Sequence, residues 1–282
     1  MAAVSVRDLR KSYGPVEALR GVSFEIEQGE VFGLLGPNGA GKTTTIEILE
    51  GYRARDEGAV EVLGADPGAA DGGWRERIGI VLQSSAMYPN LTVGEHVRVF
   101  AGYYSHPRDA AEVIELVGLA DKRNAKVKTL SGGQKRRLDL ALGLIGDPEL
   151  IFLDEPTTGF DPQARRAAWE MIRSLRELGK TVLLTTHYLD EAEQLSDRVA
   201  VLREGRIVAM GRPAELTGAK VATEIHYRRN GEQVVVATHE PTRVLHELTG
   251  EALAAGVELE GLEVRRPTLE EIYLSLTGGE SE

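Results

Sequence analysis

Residues 36–43 combine glycines, a lysine and a threonine in a spacing that suits the binding of a phosphate chain. They read GPNGAGKT and fit the pattern G-x-x-x-x-G-K-[ST]. Glycines let a backbone wrap closely around phosphates, the lysine can neutralise the β- and γ-phosphates, and the threonine hydroxyl is a hard ligand for Mg²⁺. We therefore predict that a nucleoside triphosphate binds at Gly36, Pro37, Asn38, Gly39, Ala40, Gly41, Lys42, Thr43 and the adjoining Thr44.

Two adjacent acids, Asp154 and Glu155, follow an apolar run at residues 150–153 that reads as a buried strand. A P-loop protein needs an acid at the tip of a neighbouring strand to hold Mg²⁺. Because successive side chains on a strand point to opposite faces, the two acids should have different tasks. We predict that Asp154 belongs to the magnesium site and that Glu155 faces the γ-phosphate, where it orients or deprotonates the attacking water. The alternative is that both acids are solvated and begin a turn before Pro156.

A second anion site is indicated by residues 130–134, which read LSGGQ. Ser131 is a favourable N-cap for a helix predicted to end at about residue 145, and a glycine pair at a helix start leaves backbone N–H groups open to anions. The phosphate loop at residues 36–43 already serves one nucleotide. The chain thus carries two phosphate-binding surfaces, and two copies that face each other would let each copy serve the nucleotide of the other.

The order and spacing of three motifs resembles the ATP-binding cassette (ABC) family: GPNGAGKT at residues 36–43, LSGGQ at 130–134 and LIFLDEP at 150–156. The resemblance covers about residues 3–215. It implies an α/β fold, namely a P-loop NTPase cassette with a parallel-sheet core, an antiparallel β subdomain and a helical subdomain. It also implies an ATPase that uses ATP and Mg²⁺ and that dimerises with a second ATP-binding subunit, expected to be a copy of itself.

The same resemblance assigns roles to single residues around the nucleotide. Tyr13 would stack on the adenine, Gln83 would contact Mg²⁺ and the coupling surface, and His187 would contact the γ-phosphate as a switch residue. Without the family resemblance, the tyrosine would be interpreted as a half-buried packing residue and the glutamine as a solvated loop residue. The histidine would be interpreted as a structural residue.

At the dimer interface, the resemblance implies that Ser131 and Gly133 contact the γ-phosphate of the opposite subunit and that Asp161 lies in the D-loop. Gly132 and Gln134 belong to the same nucleotide-binding motif. Many family members have a small residue and a leucine before this aspartate, where the present chain has Gly159 and Phe160. We infer no loss of activity from that difference. The basic run at residues 135–137 is expected to be a solvated helix face rather than a nucleic-acid patch.

These motifs need a sheet to position them. Alternating apolar and polar residues at 4–9 and 21–27 predict antiparallel strands with one buried face. Residues 74–150 are predicted to form loops and helices, and residues 198–210 a hairpin. Continuous apolar runs predict strands buried in a parallel sheet at residues 31–36, 150–153 and 181–185. Strands that alternate with helices in this way indicate an α/β fold.

We place a domain boundary after residue 217. Residues 1–217 would be the ATP-binding domain, and residues 218–282 a small α+β domain with an accessory or regulatory role. In the second domain a strand, an Asn230-Gly231 turn, a strand, a helix and a strand are followed by a final helix at residues 268–276. The apolar residues of that last helix share one face, and they are Leu269, Ile272, Tyr273 and Leu276.

This tail, together with residues 41–58 and 154–166, resembles bacterial exporter ATPases of the drug-resistance (daunorubicin) type. The resemblance implies multidrug or antibiotic export through a separate integral membrane permease, contacted through residues 84–120. One alternative is a soluble cassette protein acting on ribosomes or DNA. Such proteins usually carry two cassettes or a long coiled-coil insertion, whereas this chain has one P-loop, one LSGGQ and no sustained heptads. Another alternative is a nucleotide-dependent switch, against which the intact Glu155 argues.

The composition of the chain excludes several classes of function and indicates where the protein is located. A net charge of −11 argues against a dedicated nucleic-acid binder, and the absence of cysteine excludes disulfides and thiol chemistry. The longest apolar stretches are far shorter than the roughly 18 residues of a membrane span, and the first residues have no apolar signal core. We expect a cytoplasmic protein, peripheral on the inner face of the cell membrane, that associates with the membrane only through the permease.

Overall fold

The computed structural model describes residues 2–82, 87–218, 222–229 and 232–265. The chain separates into two compact units, residues 1–210 and 211–282. The boundary between the units therefore falls a few residues before the position chosen from the sequence. Among the described residues, no helix combines the length and the apolar character that crossing a membrane requires.

In chain order the elements of the first unit are β1 (Ala2–Tyr13), β2 (Val16–Glu27), β3 (Val31–Leu35), α1 (Lys42–Leu49), β4 (Glu57–Val62), α2 (Gly72–Glu76), β5 (Ile78–Val81), α3 (Val93–Ala101), α4 (Ala110–Leu116), α5 (Gly132–Leu144), β6 (Leu150–Asp154), α6 (Pro162–Glu177), β7 (Thr181–Thr186), α7 (Leu189–Leu195), β8 (Arg198–Arg203) and β9 (Arg206–Gly211). Those of the second unit are α8 (Pro213–Gly218), β10 (Thr223–Arg229), β11 (Glu232–Thr238), α9 (Pro241–Ala255) and β12 (Glu260–Arg265).

The central sheet of the first unit has the strand order β5-β6-β7-β3-β8-β9 among the described residues. The pairs from β5 to β8 are parallel. Every residue of β3, β6 and β7 is buried, as continuous apolar runs in a parallel sheet should be. The predicted parallel core is confirmed. Because the strands are parallel, the loops after β3, β6 and β7 all lie at the carboxyl ends of the strands.

Strand β5 corrects the sequence-based expectation that residues 74–150 hold only loops and helices. It is four residues long and lies at the edge of the sheet, where Ile80 is exposed. A short apolar run of this kind cannot be assigned by periodicity, because a strand and a buried helical turn give the same pattern. Its partner β6 supplies the pairing that makes it a strand.

An antiparallel sheet of order β2-β1-β4 packs beside the central sheet within the first unit. Its apolar face joins the central sheet in one core, in which the rings of Phe24 and Phe32 stack 5.3 Å apart. Helices α3, α4 and α5 pack in a second core with the other face of the central sheet. The predicted antiparallel strands and helical segment are both present. Helix α3 begins at Val93 because Thr92 and Glu95 form a capping box.

In the second unit, β11, β10 and β12 form an antiparallel sheet, and the described part is of α+β type. Ile225 and Tyr227 of β10 are its buried centre. The predicted turn at Asn230-Gly231 and the predicted helix at residues 268–276 lie outside the described residues.

Candidate active site

The phosphate loop connects the buried strand β3 to α1, as predicted. Gly41 has a φ of 108°, and a Cβ there would lie 2.8 Å from the carbonyl oxygen of Ala18. A Cβ on Gly36 would lie 2.4 Å from the carbonyl oxygen of Leu202. Both positions therefore require glycine, for conformation in one case and for space in both. No side chain caps the start of α1, so its first N–H groups are available to an anion.

Lys42 is the first residue of α1, and its side chain is only 5% exposed. Its Nζ donates to the carbonyl oxygens of Gly36 at 2.8 Å and Pro37 at 3.2 Å. It also lies 3.3 Å from Oε1 of Glu155. The ammonium group is thus held at the centre of the loop by the backbone that would surround a phosphate.

Asp154 is the last residue of β6 and is buried. Its Oδ1 accepts a hydrogen bond of 2.5 Å from the hydroxyl of Thr185 on β7. Burial raises the pKa of Asp154, while the bond from Thr185 acts in the opposite direction. Nearby, the carboxyl of Glu50 at the end of α1 has its pKa raised to about 8, first by burial and then by the charge of Asp154.

Glu155 leaves the strand through a left-handed turn, with a φ of 45°. This differs from the expectation that strand alternation separates the two acids, because the strand ends at Asp154. The N–H of Glu155 donates to both the hydroxyl and the carbonyl oxygen of Thr185, at 3.0 and 3.2 Å. Thr185 therefore holds both acids, and a left-handed non-glycine residue of this kind is often found at a functional site.

The side chain of Glu155 meets two residues of the predicted site. Its Oε1 lies 3.3 Å from Nζ of Lys42 and 3.3 Å from Nδ1 of His187, and its Oε2 accepts from the hydroxyl of Thr158 at 3.1 Å. Burial raises the pKa of Glu155, but the charge of Lys42 and the contact with His187 outweigh it, and the net direction is downward. The carboxyl is therefore ionised at neutral pH.

A cleft of about 520 Å³ lies at this site. It is lined by Ala18, Asn38, Gly39, Gly41, Lys42, Thr43, Thr44, Glu155, Thr158 and His187. A second cleft of about 280 Å³ lies between α5 and α6 and includes Ser131, Gly133, Gln134 and Asp161. The two clefts share no lining residue. The structure thus brings the phosphate loop, Glu155 and His187 together and keeps the signature residues apart from them.

The signature motif begins α5 with a capping box. The Ser131 hydroxyl accepts from the N–H of Gln134 at 3.3 Å, and the Gln134 side chain accepts from the N–H of Ser131 at 3.0 Å. Asp161 caps α6 in a similar way, accepting from the N–H groups of Gln163 and Ala164. Gly132 is exposed beside them.

Arg136 contradicts the expectation that residues 135–137 are a solvated helix face. Lys135 is exposed, but Arg136 is buried, and its guanidinium donates to the carbonyl oxygens of Leu82, Asp154 and Pro156. Burial lowers the pKa of Arg136, and the charges of Asp139 and Asp154 act against that shift. The signal that could have found it is helical spacing, because Arg136 falls three and four residues before the buried Asp139 and Leu140.

Tyr13 ends β1 and is 40% exposed, and it lines neither of the two clefts. Gln83 lies outside the described residues. Thr185, Thr158 and Glu50 were not singled out from the sequence, because each takes its role from a partner on another element or from burial.

A phosphate loop after a buried parallel strand, with acids at the tip of another strand of the same sheet, defines a P-loop nucleotide-binding protein. The family model described as "ABC transporter" matches residues 19–158, and the one described as "ABC transporter domain-containing protein-like, C-terminal domain" matches residues 213–268. The chain is 39% identical over 99% of its length to the Nod factor export ATP-binding protein I of Burkholderia orbicola, and covers 98% of that protein. It is 36% identical over 98% of its length to the linearmycin resistance ATP-binding protein LnrL of Bacillus subtilis, and covers 98% of that protein.

Among solved structures, an ATP-binding subunit of an ABC transporter is 25% identical, with a TM-score of 0.71, and the match covers 98% of this chain and 99% of that one. A dimeric post-hydrolysis state of an ATP-binding cassette with ADP and Pi is 28% identical, with a TM-score of 0.66 over 74% of this chain and 98% of that one. The chain belongs to the ABC transporter family, as one of its ATP-binding, ATP-hydrolysing subunits. The predicted family, fold class and ATPase activity are thereby confirmed.

Proposed function

We propose that ATP binds in the phosphate-loop cleft and that Glu155 assists its hydrolysis. The observation that carries this proposal is the convergence of Lys42 and His187 on one oxygen of Glu155, each at 3.3 Å. An ionised carboxylate in this position can accept a proton from water. The Thr158 hydroxyl, bound to the other oxygen, orients the carboxylate.

Lys42 has two anionic partners in this scheme. A γ-phosphate that reaches its ammonium group competes with Glu155, whose carboxylate lies 3.3 Å away. Once the phosphate has taken that position, the ion pair between Lys42 and Glu155 is broken, and the carboxylate can turn to the attacking water. His187 then contacts the same phosphate from the end of β7, which is the switch role implied by the family.

Thr43 and Asp154 are proposed to hold Mg²⁺. Among the described residues no group of three or more His, Asp or Glu side chains gathers as a metal centre. One buried carboxylate and one hydroxyl nevertheless suit Mg²⁺, which keeps several waters and takes other ligands from the substrate phosphates. When bound, the ion neutralises negative charge on the phosphate oxygens. Gln83 is added to these ligands on the family resemblance alone.

We further propose that two copies close on two ATP molecules. The support is the separation of the phosphate-loop cleft from the cleft that holds Ser131, Gly133, Gln134 and Asp161. Residues that are to contact the same nucleotide must then come from two chains. The related cassette structure with ADP and Pi is dimeric.

We propose that the ATP-driven dimer powers a separate membrane permease in export of the multidrug or antibiotic type. Support comes from relatives named for Nod factor export and for linearmycin resistance, both matched over nearly the whole chain. The chain would then be peripheral on the inner face of the cell membrane, held there by the permease through residues 84–120. Residues 218–282 would act as an accessory or regulatory domain.

The test is a pull-down from detergent-solubilised membranes with a tagged Glu155→Gln bait and ATP, and with resin carrying the tag alone as the control. We expect one polytopic membrane protein at near-equal stoichiometry, identified by mass. Ribosomal or DNA-repair partners without any membrane protein would overturn the transporter assignment of this chain.

A further inference from the structure

The ring of Tyr13 lies against two cationic side chains. The Arg53 guanidinium carbon is 5.2 Å from the ring centroid, and the Lys11 ammonium is 5.7 Å from it. Both distances fall within the range of a cation–π contact. With 40% of the residue still exposed, the ring keeps room for a further flat partner.

Arg53 is itself anchored to the helix that forms the phosphate site. Its Nε donates to Oε2 of Glu47 on α1 at 2.5 Å. The N–H groups of Tyr52 and Arg53 both donate to the carbonyl oxygen of Glu47, each at 2.9 Å. Side chain and backbone therefore fix Arg53 relative to α1, whose first residue is Lys42.

The same segment also holds the backbone of β1 next to Tyr13. Oδ1 of Asp56 accepts from Nζ of Lys11 at 2.6 Å, and Oδ2 accepts from the N–H of Ser12 at 2.7 Å. The N–H of Asp56 donates to the carbonyl oxygen of Arg10 at 3.0 Å. The ring of Tyr13 and the strand that carries it are thus both tied to the residues that follow α1.

We propose that Arg53 is a positioning residue for the base of the nucleotide. Through Glu47 it sets Tyr13 at a defined distance from the phosphate loop, and its guanidinium holds the ring so that the remaining ring surface receives the adenine. A ring held in place before binding loses less side-chain freedom when the base stacks on it. The inference rests on ATP binding in the proposed function and on the adenine contact that the family resemblance implies for Tyr13.

The test compares dissociation constants for Mg·ATP and for Mg·tripolyphosphate, which has the phosphates but no base, by titration calorimetry. Arg53→Met should weaken ATP binding about two- to fivefold, the usual worth of an exposed cation–π contact, and leave tripolyphosphate binding unchanged. The KM for ATP should rise by the same factor with kcat unchanged. Arg55→Met is the matched control, because Arg55 pairs with Asp66 at 2.6 Å, and it should change neither constant.

A double-mutant cycle with Tyr13→Leu separates the inference from the function on which it rests. In the Tyr13→Leu background, Arg53→Met should have no further effect on ATP. The inference is overturned if Arg53→Met leaves ATP binding unchanged, weakens ATP and tripolyphosphate equally, or has its full effect without Tyr13. In each of these cases Tyr13→Leu alone would still weaken ATP relative to tripolyphosphate. If it does not, the adenine contact at Tyr13 fails, and the role of Arg53 fails with it.

Discussion

Replacing the Glu155 carboxylate by the isosteric amide tests two consequences of its position. As the proposed base, its loss should slow ATP hydrolysis by about 10²–10⁴, the usual worth of a positioned proton acceptor. Because the carboxylate also pairs with Lys42, its loss should strengthen nucleotide binding. At 3.3 Å and an effective dielectric constant of about 20, the attraction between the two charges is about 5 kcal/mol.

Most of that gross attraction is offset by the cost of desolvating both groups, because the carboxylate is 11% and the ammonium 5% exposed. A phosphate that no longer displaces the carboxylate should bind about tenfold more tightly, which corresponds to about 1.4 kcal/mol. Glu155→Gln should therefore combine slow turnover with tighter binding of a non-hydrolysable ATP analogue.

The assay is steady-state phosphate release together with titration calorimetry of the analogue in the presence of Mg²⁺. Glu149→Gln is a suitable control, because Glu149 precedes the other end of β6 and pairs with Arg77 at 2.6 Å, away from the cleft. It should leave both quantities unchanged. Near-wild-type turnover of the Glu155 variant would remove the residue from catalysis, and weaker analogue binding would refute its competition with phosphate for Lys42.

Four further changes have defined outcomes. Lys42→Ala should weaken ATP binding itself, measured by calorimetry, and unchanged affinity would contradict the phosphate-loop assignment. Thr185→Val keeps the shape but removes bonds to Asp154 and to the turn after it, and should cost about 1.5–3 kcal/mol in chemical unfolding. Glu50 has its pKa raised to about 8, so the folded state holds its proton more tightly than the unfolded chain. The stability of the protein in EDTA should therefore fall as pH rises from about 5 to about 8, and Glu50→Gln should flatten that slope; an unchanged slope would show that Glu50 does not titrate there. Deleting residues 218–282 and measuring the mass of the ATP-bound particle tests whether this part holds the dimer together, a role that an unchanged dimer would exclude.

Several features of this chain were determined by short stretches of sequence. The phosphate loop, the capping box of Ser131 and Gln134, and the buried strands depend on residues that lie within a few positions of one another. Backbone conformation, capping and burial of an apolar run are local properties, so their residue types predict them directly. The family resemblance adds to this because its motifs are contiguous and keep a fixed order.

Other features were decided by the tertiary structure. Strand β5 exists because β6 pairs with it. Arg136 is buried because carbonyl oxygens at the ends of β5 and β6 accept hydrogen bonds from its guanidinium. The sequence around residues 78–81 does not show that β6 will pair with them, so they are assigned to loops and helices. The sequence around residues 135–137 does not show the carbonyl groups that bind Arg136, so these residues are assigned to a solvated helix face. A guanidinium next to carbonyl groups is favourable in a way that helix propensity does not describe.

The sequence alone therefore determined which residues can bind a phosphate chain and where the buried strands β3, β6 and β7 lie. Only the tertiary structure decided how the site is held. Thr185 reaches across from β7 to hold Asp154 and the turn at Glu155, 31 and 30 residues away in the chain. Arg53 likewise meets Tyr13 across two elements. The physical reason is that hydrogen bonds and ring contacts depend on distance in space, which becomes short only when the sheet and α1 have assembled.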